Sequence, residues 1–594
     1  MLHYTDLKEL ANDKWLELNS GNKPWIRVGT AICGKAAGAD YVLDKLKIVL
    51  SELNIDYIID EVGCLGICFA EPLVDITLEN GRRVFYKNVS VDDINTIIDD
   101  SIVENKFNHS SLLGILTSNV DNNAIGENDL PDLNELPGIK YQKKIALSNA
   151  GNVSPFDLYH YVSQGGYLAL NKAVNHMTPD EVIKEVSDSG LRGRGGAAFP
   201  TGFKWSFLVK SDNPSKYVLC NCEEGDPGAY NDKGILESDP FKLLEGLTIA
   251  GYATRSSNGI VFIRHGHDGP IDRMENAIKR AYDEGLLGKN IFDSGFDFDV
   301  EISLTGESYV AGEESALMES IEGKRSQPRF RPPFPAQFGV WGKPSNINNV
   351  KTLTYVPDII SNGSNWFANI GVQGNKEKKI QGSTGTAIVC LSGNIKFPGL
   401  YEVPMGLSLR DVIYKIGGGT ASGKELKVLQ TGGPLGGVLD SNSLDIHLDF
   451  DEMKSAGAIL GSGGIIVGDI ETCVVDLTRV LVAFCQYESC GKCFPCRLGM
   501  EQILEITERM VKCESSESDL ELIKNVGQNM EKASLCGHGQ LGYGPIRSAL
   551  KYFESDFKSH IIDKKCPTGS CVQPMISPKN TRPYGILQIN KGGE

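Results

Sequence analysis

The sequence predicts a multidomain protein of mixed α/β and α+β class, and three observations favour this class. The 594 residues exceed the size of one hydrophobic core and suggest about three to five domains. Segments with the periodicity of helices alternate with segments that alternate as strands do along most of the chain. An apolar fraction of 41% and a charged fraction of 23% are ordinary for a globular protein.

Charge and apolar runs exclude several classes of function. A net charge of −17 disfavours nucleic acid as a partner, because phosphate binding requires a basic face. The sequence contains no run of about 18 uncharged apolar residues, and the best candidate, 474–484, carries Asp476 and Arg479. We therefore expect no transmembrane segment. The N-terminus lacks the basic and apolar regions of a signal peptide, so we expect a cytoplasmic location.

The first hundred residues predict a helix followed by a small α/β domain. Residues 1–25 have the pattern of one short amphipathic helix. Residues 26–100 carry strand and helix signals in turn, namely strand 26–29, helix 41–53, strand 73–78, a hairpin turn at Asn80-Gly81 and an acidic helix. This second segment is predicted to be a thioredoxin-like domain in size and type.

The remainder predicts a linker, three larger units and a tail. Residues 101–150 are polar and rich in asparagine, which predicts a linker. Residues 151–380 mix helices with glycine-rich loops and form the largest α/β unit. Residues 381–450 are β-rich with one helix, a pattern typical of a ubiquitin-like β-grasp domain. Residues 465–563 are mostly helical around a cysteine cluster, and residues 564–594 form a C-terminal tail.

The densest glycine run lies between residues 189 and 200. Glycines let backbone N–H groups approach a phosphate or a ring closely, and Gly193-x-Gly195-x-x-Ala198 formally fits the dinucleotide-binding pattern. That pattern requires a preceding strand, whereas 178–187 has the periodicity of a helix. The sequence therefore disfavours a Rossmann fold and leaves a ligand cradle or a set of tight turns.

The 15 cysteines cluster as metal ligands do in a large cytosolic chain, not as a disulfide framework. Cys490-x2-Cys493-x2-Cys496 is followed 40 residues later by Cys536. Four thiolates at this spacing suit a [4Fe–4S] cluster, and zinc also accepts four thiolates. Iron–sulfur is favoured, because zinc ribbons usually pair two separate Cys-x2-Cys knuckles.

Several motifs together resemble one known family. The resemblance is to the NADH-binding flavoprotein subunit of complex I and to the flavin subunits of NAD-linked, often electron-bifurcating, hydrogenases and formate dehydrogenases. It covers about residues 150–545, in order. The motifs that carry it are Gly-Arg-Gly-Gly-Ala-x-Phe-Pro-Thr-Gly-x-Lys-Trp-Ser-Phe (193–207), Gly-Glu-Glu-Ser-Ala-Leu-Met (312–318), Pro-Pro-Phe-Pro (332–335), Asn-Asn-Val (348–350) and Glu-Ser-Cys-Gly-Lys-Cys-x-Pro-Cys-Arg (488–497).

The resemblance implies an FMN- and NADH-binding domain at 151–380. The residues that would hold the FMN phosphate and ring are Gly193, Arg194, Gly195, Gly196 and Lys204. Those that would complete the flavin site are Asn221, Glu223, Glu224, Tyr309, Gly312, Glu313, Glu314, Asn348, Asn349 and Thr352. Phe199, Phe207 and Phe334 would sandwich the adenine of NADH. Asp226 would face the nicotinamide, and Glu224 and Glu314 are the candidate catalytic residues.

The same resemblance implies the chemistry. FMN accepts two electrons from NADH as a hydride and releases them singly, so the protein mainly positions rings, and a nearby [4Fe–4S] cluster accepts one electron at a time. Two positions depart from the family pattern: Glu223 stands where aspartate is usual, and Ala198 replaces a common glycine.

Two weaker cysteine groups are candidate metal sites. Cys33, Cys64 and Cys68 resemble the [2Fe–2S] thioredoxin-like module of hydrogenase-type subunits, but Gly38 occupies the usual position of the second cysteine. Either another residue is a ligand, or this is a docking domain without a cluster. At the other end, a Cys3His zinc site is predicted, with ordinary surface thiols as the alternative; its ligands would be Cys473, His560, Cys566 and Cys571.

The resemblance also implies partners. These are a [2Fe–2S] thioredoxin-like small subunit and a terminal hydrogenase, formate dehydrogenase or other reductase subunit, with ferredoxin and electron bifurcation left open. Two alternatives remain beside NADH oxidation. One is an NADPH-linked diaphorase, which the acidic group Glu223, Glu224 and Asp226 would disfavour by repelling a 2′-phosphate. The other is a non-catalytic scaffold that carries clusters without flavin.

Overall fold

The computed structural model describes residues 3–20, 23–78, 81–116, 130–374 and 381–571. The described strands are β1 Trp25–Gly29, β2 Ile58–Val62, β3 Val74–Thr77, β4 Arg83–Tyr86, β5 Leu112–Leu116, β6 Tyr217–Cys222, β7 Asn258–Arg264, β8 Asp299–Thr305, β9 Ser345–Asn349, β10 Gly371–Val372, β11 Ser383–Thr384, β12 Thr386–Gly393, β13 Gly399–Pro404, β14 Leu426–Thr431, β15 Val438–Asp440 and β16 Gly464–Asp469.

The helices of the same residues surround three larger sheets. They are α1 Tyr4–Leu18, α2 Ile32–Ala36, α3 Ala39–Glu52, α4 Ile94–Ile98, α5 Pro137–Lys140, α6 Leu158–Ser163, α7 Leu168–His176, α8 Pro179–Asp188, α9 Thr201–Val209, α10 Asn231–Ser238, α11 Pro240–Thr254, α12 Asp268–Asp283, α13 Glu314–Ile321, α14 Val350–Thr354, α15 Val356–Asn362, α16 Ser364–Ala368, α17 Phe450–Ala456, α18 Val474–Tyr487, α19 Phe494–Val511, α20 Glu517–Ala533, α21 Gly537–Leu541, α22 Gly544–Tyr552 and α23 Glu554–Ile561. Mixed α/β architecture is therefore confirmed.

The first sheet has the order β2-β1-β3-β4-β5. β1 and β2 are parallel, and the other pairs are antiparallel. β5 lies inside 101–150, so the prediction that this whole segment is a linker is wrong: Leu112–Leu116 is apolar, pairs with β4 and forms the edge of the sheet. The predicted turn at Asn80-Gly81 lies partly outside the described residues.

The glycine-rich loop lies beside the second sheet. The four strands of this sheet are all parallel, in the order β8-β7-β6-β9. The segment before the loop is the helix α8, which begins with a capping box between Thr178 and Glu181. The prediction that a helix, not a strand, precedes the loop is confirmed, so the dinucleotide pattern of a Rossmann fold does not apply.

The third sheet has the order β13-β12-β16-β14-β15. β16 comes from residues beyond the predicted boundary at 450 and pairs in parallel with β12. The one helix predicted within 381–450 is found as a π-helical turn, Asp411–Ile416. Helices α18 to α23 follow and pack around a separate apolar core, as the pattern of 465–563 predicts. None of the described helices is long and apolar enough to cross a membrane.

The N-terminal unit is docked on two other units through glycines. A Cβ at Gly63 would lie 2.1 Å from Ser238 Oγ, and a Cβ at Gly66 would lie 2.2 Å from the Leu400 carbonyl oxygen. Arg273 donates to the Thr30 carbonyl (2.9 Å). These contacts fix the loop that carries Cys64 and Cys68 against helix α10 and strand β13.

Candidate functional site

A cavity of about 1190 Å³ opens beside the parallel sheet. It exceeds the usual volume of about 300–1,000 Å³ for a single small-molecule pocket, so it has room for two ligands side by side. Of the predicted cofactor-binding residues, those that line it are Gly193, Gly195, Phe199, Lys204, Phe207, Asn221, Gly312, Glu313, Glu314, Phe334, Asn348, Asn349 and Thr352. The structure thus brings together residues that are far apart in the sequence.

The glycine loop forms one wall of this cavity because it lies close to strand β9 and helix α14. A Cβ at Gly195 would lie 3.1 Å from the Asn349 Cβ, so a larger residue would crowd the wall. The Arg194 N–H donates to Thr352 Oγ1 (2.9 Å). Gly196 has a φ of 107°, a conformation that favours glycine, but it does not line the cavity.

The Arg194 side chain faces away from the cavity. It is buried, and its guanidinium donates to the carbonyl oxygens of Arg192 (2.8 Å), Thr384 (2.6 Å) and Thr386 (3.2 Å). Its place is explained by these carbonyls, since a buried guanidinium needs hydrogen-bond acceptors. Arg194 therefore anchors the loop to the third sheet.

The side chains of the acidic turn after β6 also do not line the cavity. Glu223 is buried and pairs with Arg264 Nη1 (2.6 Å), and burial raises the pKa of Glu223 to about 7. Glu224 accepts from the N–H groups of Asp232 and Lys233 (2.7 Å each) and so caps helix α10.

Asp226 completes this turn without lining the cavity. One of its carboxylate oxygens is buried without a hydrogen-bond partner, and burial raises the pKa of Asp226. Tyr309 packs against Phe484 and His538, with ring centroids 5.3 and 5.7 Å apart. Glu223, Glu224 and Asp226 are not among the residues that line the cavity. The expected repulsion of a 2′-phosphate by these three carboxylates therefore no longer argues against NADPH.

Charged groups of both signs face the cavity and pair around Glu314. Lys204 Nζ donates to the Ile347 carbonyl (2.6 Å) and lies 3.6 Å from Glu314 Oε2. Arg331 forms an ion pair with the same Glu314 carboxylate. Burial lowers the pKa of Lys204, and Glu314 opposes that effect. Glu313 caps helix α13 through the N–H groups of Ser315 and Ala316.

One end of the cavity is aromatic. The rings of Phe199 and Phe203 are 5.9 Å apart, and those of Phe203 and Phe207 are 4.7 Å apart. Phe334 faces the same space and is 54% exposed, so the rings are free to stack on a planar ligand. Sequence analysis missed Phe203, although the spacing 199, 203, 207 on and before helix α9 places three rings on one face.

The four cysteines Cys490, Cys493, Cys496 and Cys536 line a second, smaller cavity. A single tetrahedral zinc would hold four sulfur atoms about 3.8 Å apart, given Zn–S bonds of about 2.3 Å. No three of these thiols belong to a described group whose ligand atoms all lie within 4.8 Å of one another. The wider spacing fits a cluster that fills the cavity, and the predicted preference for iron–sulfur over zinc is supported.

The two cavities share a wall. Gly537 lines the large cavity and directly follows Cys536. In a second segment, Val310 lines the cysteine cavity and Gly312 lines the large one. Two backbone segments therefore reach both cavities, so the two sites are neighbours.

The remaining thiols form two compact groups. The ligand atoms of Cys33, Cys64 and Cys68 all lie within 4.8 Å of one another. The same holds for a second group made of Cys473, His560, Cys566 and Cys571.

The second group has the geometry of a metal site. The Cys473 sulfur lies 3.5 Å from His560 Nε2 and 3.3 Å from the Cys571 sulfur. His560 Nδ1 lies 2.7 Å from the Asp556 carbonyl. That bond leaves Nε2 free for a metal and orients the ring, as partners beyond the ligands commonly do.

Comparison with known proteins agrees with this arrangement. Residues 186–358 match the Nuo51 FMN-binding domain, residues 388–439 match the SLBB domain, and residues 476–560 match the NADH-ubiquinone oxidoreductase-F iron–sulfur binding region. A crystal structure of NAD+-reducing [NiFe]-hydrogenase in the H2-reduced state is similar over 94% of this chain and 90% of that chain, with a TM-score of 0.62 and 25% identity.

Two curated relatives carry the closer likeness in sequence. The NADP-reducing hydrogenase subunit HndC of Solidesulfovibrio fructosivorans is 43% identical over 73% of this chain and 86% of its own length. A subunit of the NADH-quinone oxidoreductase of Escherichia coli (strain K12) is 38% identical over 68% of this chain and 90% of its own length. The chain therefore belongs to the family of NADH dehydrogenase subunits that bind FMN and a [4Fe–4S] cluster.

Proposed function

We propose that this chain is the electron-input subunit of a larger oxidoreductase complex, in which NADH is oxidised in the large cavity and electrons leave through the cysteine cavity. The observation that carries this proposal is the shared wall between the two sites, formed on one side by Gly537 next to Cys536. A short separation suits transfer of single electrons between the two groups.

FMN fits the end of the large cavity formed by the glycine loop. Gly195 lets the loop approach Asn349 closely, and Lys204, Asn348 and Thr352 line the same cavity. When bound there, FMN supplies two-electron acceptance from NADH and one-electron release. Lys204 and Glu314 would set the charge beside the ring, and Phe199, Phe207 and Phe334 would stack on the adenine.

A second candidate function is oxidation of NADPH. Two observations favour it: the acidic turn is turned away from the cavity, and Lys210 lines the cavity beside Phe207. A lysine there offers a positive charge to a 2′-phosphate.

The outlying thiol groups would hold additional metals. A [2Fe–2S] cluster at Cys33, Cys64 and Cys68 would add a further electron carrier in the N-terminal unit. A zinc ion at the Cys473 group would be structural, because four protein ligands leave no open position. The proposed partners are a [2Fe–2S] small subunit and a terminal hydrogenase, formate dehydrogenase or other reductase, with ferredoxin as a further acceptor in a bifurcating complex.

The test is an anaerobic titration of the purified, cofactor-loaded protein with NADH and, separately, NADPH. We expect NADH to bleach the flavin absorbance and then to reduce a cluster seen by electron paramagnetic resonance. Cys536→Ser should keep the bleaching and lose the cluster signal, because it removes one ligand and leaves the flavin end of the large cavity intact.

Lys279→Gln, on the exposed face of α12, is the matched control and should behave as the wild type does. A protein that takes up clusters but no flavin would contradict the proposal in favour of a scaffold. Faster bleaching by NADPH would assign the second candidate function instead.

A further inference from the structure

A serine hydroxyl lies beside the thiols of the cysteine cavity. Among the described residues that line this cavity, Ser489 is the one with a hydroxyl group. It directly precedes Cys490 in the sequence, and its Oγ lies 3.3 Å from the Cys496 sulfur. The hydroxyl group is therefore within hydrogen-bond distance of a ligand of the [4Fe–4S] cluster.

The direction of this hydrogen bond follows from the groups on either side of it. The Gly491 N–H donates to the Ser489 oxygen (3.4 Å), so the oxygen already acts as an acceptor there and its own hydrogen is available for another partner. A cysteine that binds iron does so as a thiolate, which has no proton to donate. Ser489 is therefore the donor and the Cys496 sulfur the acceptor.

The ends of two helices hold both partners in place. Ser489 directly follows Glu488, the C-cap of α18, and the Ser489 N–H donates to the Gln486 carbonyl (3.2 Å). Cys496 lies in the first turn of α19 and is only 6% exposed. Gly491 has a φ of 71°, a conformation that favours glycine. Because the acceptor is buried, the hydrogen bond acts in a medium of low dielectric constant, where its electrostatic effect is stronger than in water.

Other donors around the cysteines belong to the backbone. The N–H groups of His538 and Gly539 are directed at the Cys536 sulfur. A substitution cannot remove such donors without altering the chain. The hydroxyl group of Ser489, in contrast, is removed by the loss of a single oxygen atom.

We propose that Ser489 raises the reduction potential of the [4Fe–4S] cluster through a hydrogen bond from its hydroxyl group to the Cys496 sulfur. The inference deepens the proposed function, because it concerns the cluster that receives electrons from the large cavity. Reduction adds a negative charge that is shared with the ligand sulfurs, so a donor at a sulfur stabilises the reduced form more than the oxidised form. Hydrogen bonds to the sulfurs are among the features that set such potentials.

The experiment is an anaerobic redox titration of the full chain, loaded with FMN and cluster and followed by electron paramagnetic resonance. Ser489→Ala should keep its iron. Its ratio of reduced to oxidised cluster at a fixed potential should fall about two- to tenfold, the effect of one hydrogen bond. Ser489→Thr keeps a hydroxyl group and should retain the wild-type ratio. Ser518→Ala is the matched control, because it removes an exposed hydroxyl group from α20 in the same helical unit, and it should leave the ratio unchanged.

Ser489→Thr and Ser489→Val provide a second comparison, because the two new side chains have nearly the same shape and differ in the hydroxyl group. Only the valine variant should show the lower potential. Equal potentials in these two variants, or a wild-type potential in Ser489→Ala, would overturn the proposal. Loss of iron from both Ser489→Ala and Ser489→Val would also overturn it, since the residue would then hold the cluster and not tune it.

Bleaching of the flavin by NADH reports the main function separately. A wild type that binds FMN but is not bleached by NADH or NADPH would contradict the proposed function. A wild type with normal bleaching, together with unshifted Ser489 variants, would contradict the role of Ser489 alone.

Discussion

At the scale of single residues, two carboxylates near the site have different positions: Glu314 lines the large cavity and Glu224 supports a helix. Glu314 reaches the large cavity and meets Lys204 and Arg331 there. The family resemblance also proposes Glu224 as catalytic. Both of its carboxylate oxygens, however, accept hydrogen bonds from N–H groups in the first turn of α10. Charge alone therefore does not assign a role in this site, because burial decides which carboxylate meets a ligand.

The pH dependence of stability tests the role of Glu224. Burial, with a contribution from Asp232, raises the pKa of Glu224 to about 7. A carboxyl group whose pKa is higher in the folded protein adds stability below its unfolded pKa, and this is lost as pH rises through the folded value. We therefore expect the melting temperature of Glu224→Gln to fall less than that of the wild type when pH rises from about 5 to above 7.

Glu301→Gln, an exposed change on strand β8, should follow the wild type in this experiment. The KM for NADH should stay close to the wild-type value in Glu224→Gln, since the side chain does not line the cavity. An inactive Glu224→Gln protein with an unchanged melting profile would instead support the proposed catalytic role.

At the scale of elements, one buried side chain fastens a connecting segment to the third sheet. Glu402 on β13 accepts from the N–H groups of Ile145, Ala146 and Leu147 (2.9, 3.1 and 2.8 Å). It also accepts from Thr386 Oγ1 (2.5 Å) on β12. The polar sequence of 101–150 gives no sign of this attachment, because the acceptor lies more than 250 residues away.

Glu402→Leu should therefore destabilise the protein strongly. Each buried N–H left without an acceptor costs about 1–3 kcal/mol, so the apparent melting temperature should fall and proteases should cut near 140–150. Asp445→Asn is the control, because its ion pair with Arg410 is exposed and such pairs contribute about 0–1 kcal/mol. Equal melting temperatures for the two variants would contradict the attachment.

At the scale of the whole molecule, the Cys3His group at the C-terminal end brings together distant parts of the helical unit. Cys473 directly precedes α18 and caps it, His560 lies in α23, and Cys566 and Cys571 follow that helix. A metal at this point would join the start of the unit to its end. The closure of such a long loop is expected to stabilise the fold.

Removal of the metal tests this connection. Cys566→Ser should lose about one zinc per chain, melt at a lower temperature and keep its flavin and iron. Cys513→Ser is the matched control, since Cys513 is a half-buried thiol outside the group. Elemental analysis that finds iron but no zinc in the wild type would count against the site.

Sequence spacing predicts the local parts of these sites and misses the parts that tertiary contacts decide. The Cys490–Cys496 spacing and the helix before the glycine loop are readable because neighbours in the chain determine them. The Arg194 side chain points away from the cavity because it donates to the carbonyl oxygens of Thr384 and Thr386, which are distant in the sequence. Strand β16 joins the third sheet from outside its predicted bounds for the same reason.

The close fit of Gly63 and Gly66 has a consequence for recombination between related proteins. In a homologous N-terminal unit with alanine at position 66, the alanine Cβ would clash with the carbonyl oxygen of Leu400. This oxygen belongs to the backbone and cannot move aside by a change of rotamer. The graft would lie further from helix α10 and strand β13, and the proposed N-terminal cluster would then lie further from the large cavity. The N-terminal unit is therefore not freely exchangeable between relatives, and a grafted unit would need glycine at positions 63 and 66.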